Sequence, residues 1–258
     1  MAALTRKTRN IRLIIAYDGT GYSGWQRQKN GTTIQGEIEH FLHHITREPV
    51  VLHGAGRTDA GVHADGMCAH FISHTRINCA DLQSGLNSLL PGSIRIVSVE
   101  DTDLHFHSRF HAKGKHYQYS LYLGKVHPPR LRLYSLHIPF TINLQIIRDC
   151  LQLIEGTHDF SSFENSGSRD KSVRGGKGAV RTIYLARLAE KSATELNFDF
   201  KGDGFLRQMI RNMVGTLLDA GRGRITVAEF STALQAKDRT KGGPTAPAHG
   251  LCLKRVFY

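Results

Sequence analysis

Apolar positions along this chain switch between strand-like and helix-like spacing. Ile11–Ala16 is a mostly apolar, β-rich run and predicts a buried strand. After a loop ending in the turn signal Asn30-Gly31, the residues Ile34, Ile38, Phe41, Leu42 and Ile45 form one helical stripe reaching about Arg47. Thr32 and Gln35, at capping-box spacing, are expected to open that helix. A short strand near Val50–His53 leads into a glycine-rich turn, and another strand is expected around Met67–Ser73. A helix over Ala80–Leu90 stops at Pro91-Gly92, followed by a strand over Ile94–Val99.

The second half repeats this grammar. Alternation over Lys115–Leu123 puts Tyr117, Tyr119, Leu121 and Leu123 on one strand face. Thr141–Ile154 reads as a helix, and Thr182–Leu188 and Leu196–Phe200 as strands. Asn197, Asp199 and Lys201 alternate with apolar neighbours, which predicts one solvated face. Helices follow over Phe205–Ala220, with Gly221 placed to end the first, and over Val227–Lys237; Leu251–Tyr258 closes as a strand. Strands and helices without strict alternation predict an α+β fold in two similar halves, 1–103 and 104–258, with largely antiparallel sheets and flanking helices. Ser166–Gly178, rich in Gly, Ser, Lys and Arg, reads as a basic loop.

Charge narrows the partner. The 258 residues carry 34 Lys+Arg against 22 Asp+Glu, and 34 − 22 gives +12. The longest apolar run, Leu13–Tyr17, is about five residues, far short of the roughly 20 that span a bilayer. The start, MAALTRKTRN, lacks the apolar stretch of a secretory signal. Four scattered cysteines without C-x-x-C spacing read as reduced thiols, so a cytoplasmic location is expected. Basic residues are spread through every kind of element rather than set opposite one apolar helix face. Nucleic acid is therefore the expected partner, not a membrane surface.

Candidate chemistry lies in a few segments. Gly19 to Gly24 fits G-x-G-x-x-G, but Trp25–Gly31 intervenes before any helix, so a dinucleotide site is set aside. The histidine pairs His40/His44, His70/His74 and His107/His111 lack a carboxylate partner or an H-E-x-x-H pattern and read as core or surface histidines. In Gly54-Ala-Gly-Arg-Thr-Asp-Ala-Gly-Val-His63, three glycines surround Arg57 and Asp59, with His63 close by. That is more chemistry than a tight turn requires. In the helix expected over Phe205–Ala220, the residues Leu206, Ile210, Met213 and Leu217 predict a buried stripe, with Arg207 and Arg211 on another face.

These segments resemble the tRNA pseudouridine synthase A family, from Ile11 to Tyr258. The matching motifs are YDGTGYSGWQRQ, GRTDAGVHA, NSLLPGSI, KHYQY, DFSSF, GFLRQMIRNMVGTLLDAG and GPTAPAHGL. The resemblance implies a pseudouridine synthase fold around a central basic cleft. It also implies isomerisation of uridine to pseudouridine in the anticodon arm of tRNA (positions 38 to 40), no metal or organic cofactor, and a homodimer. Asp59 falls on the family's catalytic aspartate, Arg57 on an arginine for tRNA binding and base flipping, Tyr117 on the stacking tyrosine, and Arg211 on the partner of the aspartate. Two departures stand out: Ser166–Gly178 is long and glycine-rich, and Met67-Cys68 replaces a polar-apolar pair, a packing change. An Arg211 guanidinium beside Asp59 would favour its carboxylate form.

Two other classes stay open at this point. A non-catalytic RNA-binding protein explains the charge but not an acid among the bases. A phosphohydrolase using Asp59 and His63 lacks the further carboxylates of two-metal chemistry.

Overall fold

The computed structural model describes residues 7–165 and 178–258, so the basic loop expected at Ser166–Gly178 lies almost wholly outside the described residues. The fold is mixed α+β, in two compact units: residues up to Lys113 together with Leu253–Tyr258, and Gly114–Cys252.

The first unit runs β1 (Arg9–Tyr17), α1 (Ile34–Thr46), β2 (His53–Gly54), β3 (His63–Ser73), α2 (Cys79–Leu89) and β4 (Ile94–Thr102). β1 lies between β4 and β3, antiparallel to both. Its register sets Ile11 opposite Phe71, Leu13 opposite Ala69 and Ile15 opposite Met67, all fully buried. Ile34, Ile38 and Leu42 of α1, with Leu82 and Leu86 of α2, complete the core. The N-cap of α1 is Thr33, which accepts from Gly36 N–H, rather than Thr32. Gln35 is occupied elsewhere: its side chain accepts from Arg27 N–H and donates to the Leu52 carbonyl and to Glu39.

The second unit runs β5 (Gly114–Tyr122), β6 (Leu136–His137), α3 (Leu144–Ile154), β7 (Gly156–Asp159), β8 (Val180–Glu190), β9 (Glu195–Gly202), α4 (Met209–Gly221) and α5 (Val227–Gln235). Its sheet order is β5-β9-β8-β7, antiparallel throughout, with the short β6 parallel to β5. β10 (Leu251–Phe257) carries the chain back to the first unit, where Phe257 C=O accepts from Lys113 N–H.

Three local expectations change. The solvated face of β9 is closed at Asn197 and Asp199, each 3% exposed. Asp199 is roofed by cross-strand partners, accepting from Gln118 and pairing with His116 and Arg187. Segment 104–113, expected to open the second half, belongs to the first unit. There the Asn10 amide donates to the carbonyls of Asp103 and Phe106. α4 begins at Met209 rather than Phe205, because Gln208 adopts a left-handed conformation (φ +59°) that a helix interior excludes.

Candidate active site

The glycine-rich loop that follows β2 is held by groups from far upstream. β2 pairs with β3 at His70 and Ala69, and Ala55 N–H donates to the Cys68 carbonyl. Thr58 then turns inward, its hydroxyl 2.8 Å from Tyr17 Oη in a buried pair, while its carbonyl accepts from Trp25 N–H at 3.1 Å. Glycine is required where these strands of chain touch. A Cβ on Gly19 would stand 2.1 Å from Val62 O, one on Gly24 2.6 Å from Thr58 O, and one on Gly54 2.6 Å from the Trp25 ring. At the far end, buried His63 accepts from Gly19 N–H through Nδ1 at 3.1 Å, and Asp18 Oδ1 lies at the same distance. Between these clamps Arg57 is exposed and Asp59 half-buried. The frame pins residue 58 and presents its two charged neighbours.

With its Nδ1 committed to a backbone amide, His63 serves to fasten the loop. Among the described residues, no group of three or more His, Cys, Asp or Glu could hold a metal ion.

Tyr117 and Arg211 belong to the second unit. Tyr117 sits opposite Phe200 on β9, is 7% exposed, and meets the Phe205 ring edge-on at 5.2 Å between centroids. The left-handed Gln208 sets Phe205 on a turn ahead of the helix. It also takes Arg207 off the helix, so Arg207 and Arg211 do not share a helical face as the spacing suggested. Arg207 is exposed, and its carbonyl accepts from Asn165 N–H. Leu206, Ile210, Met213 and Leu217 are buried, as their spacing predicts.

Arg211 is fixed by segment 242–250, a contact that spacing alone could not reveal. Its Nε donates to Ala246 C=O at 2.8 Å, and its own carbonyl accepts from Ala246 N–H at 3.0 Å. Gly215 lets that segment approach, since a Cβ there would stand 1.7 Å from Pro244 O. Asn212, fully buried, accepts from Thr245 and Arg239 and donates to Phe163 C=O. Tyr119 donates to Pro247 C=O at 2.8 Å; burial pushes its phenol up, and the charge of Arg211 opposes this. The Nε of Arg211, which anchors it to Ala246, is a donor that a lysine lacks.

The motifs YDGTGYSGW and GPTAPAHGL thus supply the frames that hold Asp59 and Arg211. Their residue types gave no such signal in isolation, because Tyr17, Trp25, Gly19 and Ala246 carry no reactive group.

The model of the tRNA pseudouridine synthase family matches residues 13–111 and 150–258. A protein of Desulfotalea psychrophila named tRNA pseudouridine synthase A 1 is 57% identical over 250 residues, covering 97% of this chain and all of that relative. A relative of the same name from Protochlamydia amoebophila is 44% identical, covering 96% of this chain and 95% of its own length. The tRNA pseudouridine synthase A of Clostridium kluyveri is 40% identical, over 97% of this chain and its own full length. On the extent of the family match and of these relatives, the chain belongs to the tRNA pseudouridine synthase family.

Proposed function

We propose that the protein isomerises uridine to pseudouridine in the anticodon arm of tRNA, with Asp59 as the catalytic nucleophile or base. The observation that carries this reading is the clamp around Thr58, which presents Arg57 and Asp59 from a rigid turn in a chain whose relatives are named for this reaction. The reaction breaks N1–C1′, turns the base and joins C5 to C1′, releasing the C5 proton and returning one to N1. Product and substrate are isomers, so no electrons are exchanged with a second molecule.

Chemistry at C1′ of a stacked nucleotide requires extrusion, at a few kcal/mol. In this reading Arg57 grips the backbone or fills the vacated place, and Tyr117 stacks on the uracil, worth about 1–3 kcal/mol. In this reading Arg211, whose Nε is tied to Ala246, acts as the arginine partner of the catalytic carboxylate. The acting species is a cytoplasmic homodimer. No helix among the described residues is long and apolar enough to cross a membrane.

The test is tritium release from unmodified tRNA carrying 5-tritiated uridine. Release with intact RNA supports the isomerase, cleaved RNA supports a hydrolase, and tight binding with neither supports a passive RNA-binding protein.

A further inference from the structure

Segment 105–111 of the first unit carries an arrangement that the isomerisation does not use. Phe110 is 74% exposed, and its ring lies flat on His107, with centroids 4.2 Å apart and planes inclined by 29°. Beneath His107, the imidazoles of His70 and His53 follow at 4.6 and 5.6 Å. An exposed phenyl ring is usually mobile; this one is fixed. His107 Nδ1 accepts from the backbone amides of Arg109 and Phe110. Ser108 donates its hydroxyl to His53 C=O at 2.5 Å and its amide to His70 Nδ1 at 3.2 Å, while its carbonyl accepts from Tyr258 Oη at 2.6 Å. The ring is therefore a rigid platform, which lowers the entropy lost when a flat partner settles on it.

The surroundings select the partner. Exposed Arg109, His111 and His53 lie near His107, and exposed Lys113 follows in the chain three residues after Phe110. Arg109 and Lys113 have no acidic partner among the described residues. The acids closest in sequence are occupied: Glu100 is paired with Arg12, Asp101 with Arg9, and Asp103 accepts from His105 N–H in its own turn. A second copy of this chain docking here about a two-fold axis would set like charges against each other. A polyanion with an accessible ring face fits both the charge and the platform.

We infer that Phe110 and Arg109 form a second RNA contact, in which Phe110 stacks on an unpaired base and Arg109 takes an adjacent phosphate. This rests on the reading of the protein as an enzyme acting on tRNA. The contact is continuous with the catalytic loop: Ser108 is bonded to His53, the first residue of β2, which leads directly into Arg57 and Asp59. RNA held at Phe110 is thereby tied to the strand that feeds the loop.

Filter binding of unmodified tRNA across a salt series tests this, with tritium release followed in parallel. Phe110→Ala should raise Kd about tenfold and leave the salt slope and the kcat at saturating tRNA unchanged. Arg109→Gln should raise Kd and make the slope of log Kd against log salt shallower by about one. Phe110→Trp should retain affinity, and its indole emission should be quenched on adding tRNA; the native Trp25 is buried and gives a steady background. Wild-type affinity in Phe110→Ala overturns the inference, as does a change in sedimenting species that identifies the patch as a contact between copies. If wild-type protein releases no tritium, the isomerase reading fails instead, whatever the binding results.

Discussion

The pair that positions the catalytic loop can be tested by removing one hydroxyl. Tyr17 and Thr58 are 4% and 8% exposed, and their oxygens are 2.8 Å apart across 41 residues of sequence. Tyr17→Phe keeps the ring against Trp25 but leaves Thr58 Oγ1 without its partner. A buried hydroxyl stripped of its partner costs about 1–3 kcal/mol, and for a chain of this size each kcal/mol lowers Tm by about 2–4 °C. We expect Tm to fall by about 3–6 °C. Because Thr58 lies between Arg57 and Asp59, kcat should fall about tenfold with KM little changed, as expected when a reacting group loses its exact placement. Thr58→Val removes the other hydroxyl at nearly constant shape, and the double variant leaves no orphan. The double-mutant cycle, measured by urea unfolding and by tritium release, should give a coupling of about 1 kcal/mol in stability. Additive losses, or a Tyr17→Phe enzyme with wild-type Tm and kcat, would refute the clamp.

Further expectations follow from the same contacts. Burial, reinforced by the nearby His107, His53 and His111, lowers His70 from 6.5 to about 4. A folded-state pKa below the unfolded value means that stability is complete above pH 6.5 and is lost as pH falls towards 4, by up to about 3 kcal/mol. Urea titrations of wild type and His70→Gln over that range should diverge by this amount, and parallel curves would reject it. Arg211→Lys should lower kcat by at least tenfold, since lysine lacks both the Nε that holds Ala246 and the fork that meets a carboxylate; near-wild-type kcat would remove the assigned role. Gly215→Ala should destabilise the second unit by more than 2 kcal/mol, because Pro244 must move away from the new methyl; an unchanged urea midpoint would show that segment 242–250 yields freely.

What could be read in the chain was the part written in local periodicity. The spacing of Ile34, Ile38 and Leu42 and the alternation of Tyr117, Tyr119 and Leu121 describe faces that are buried. Arg57 and Asp59 stood out because charges crowded among glycines have no cheap structural explanation. The rest depended on partners remote in sequence. The closed face at Asp199 needs His116, Gln118 and Arg187 from two other strands. The late start of α4 depends on one left-handed residue, Gln208, whose type is compatible with helix. The anchoring of Arg211 comes from Ala246, 35 residues further on, through a backbone carbonyl that no pattern of side chains marks. His70 and His107, weighed only within the separate pairs His70/His74 and His107/His111, meet ring to ring at 4.6 Å once the turn carrying Ser108 is folded.

The central claim is that one carboxylate among many cations makes this protein an enzyme and not only an RNA-binding surface. Asp59→Asn retains the shape of the side chain while removing its charge. Measured on 5-tritiated uridine tRNA, the variant should bind with a Kd within about threefold of wild type and release no tritium above background, even in single turnovers with excess enzyme. Pseudouridine formation by Asp59→Asn would contradict the account and return the chemistry to another residue.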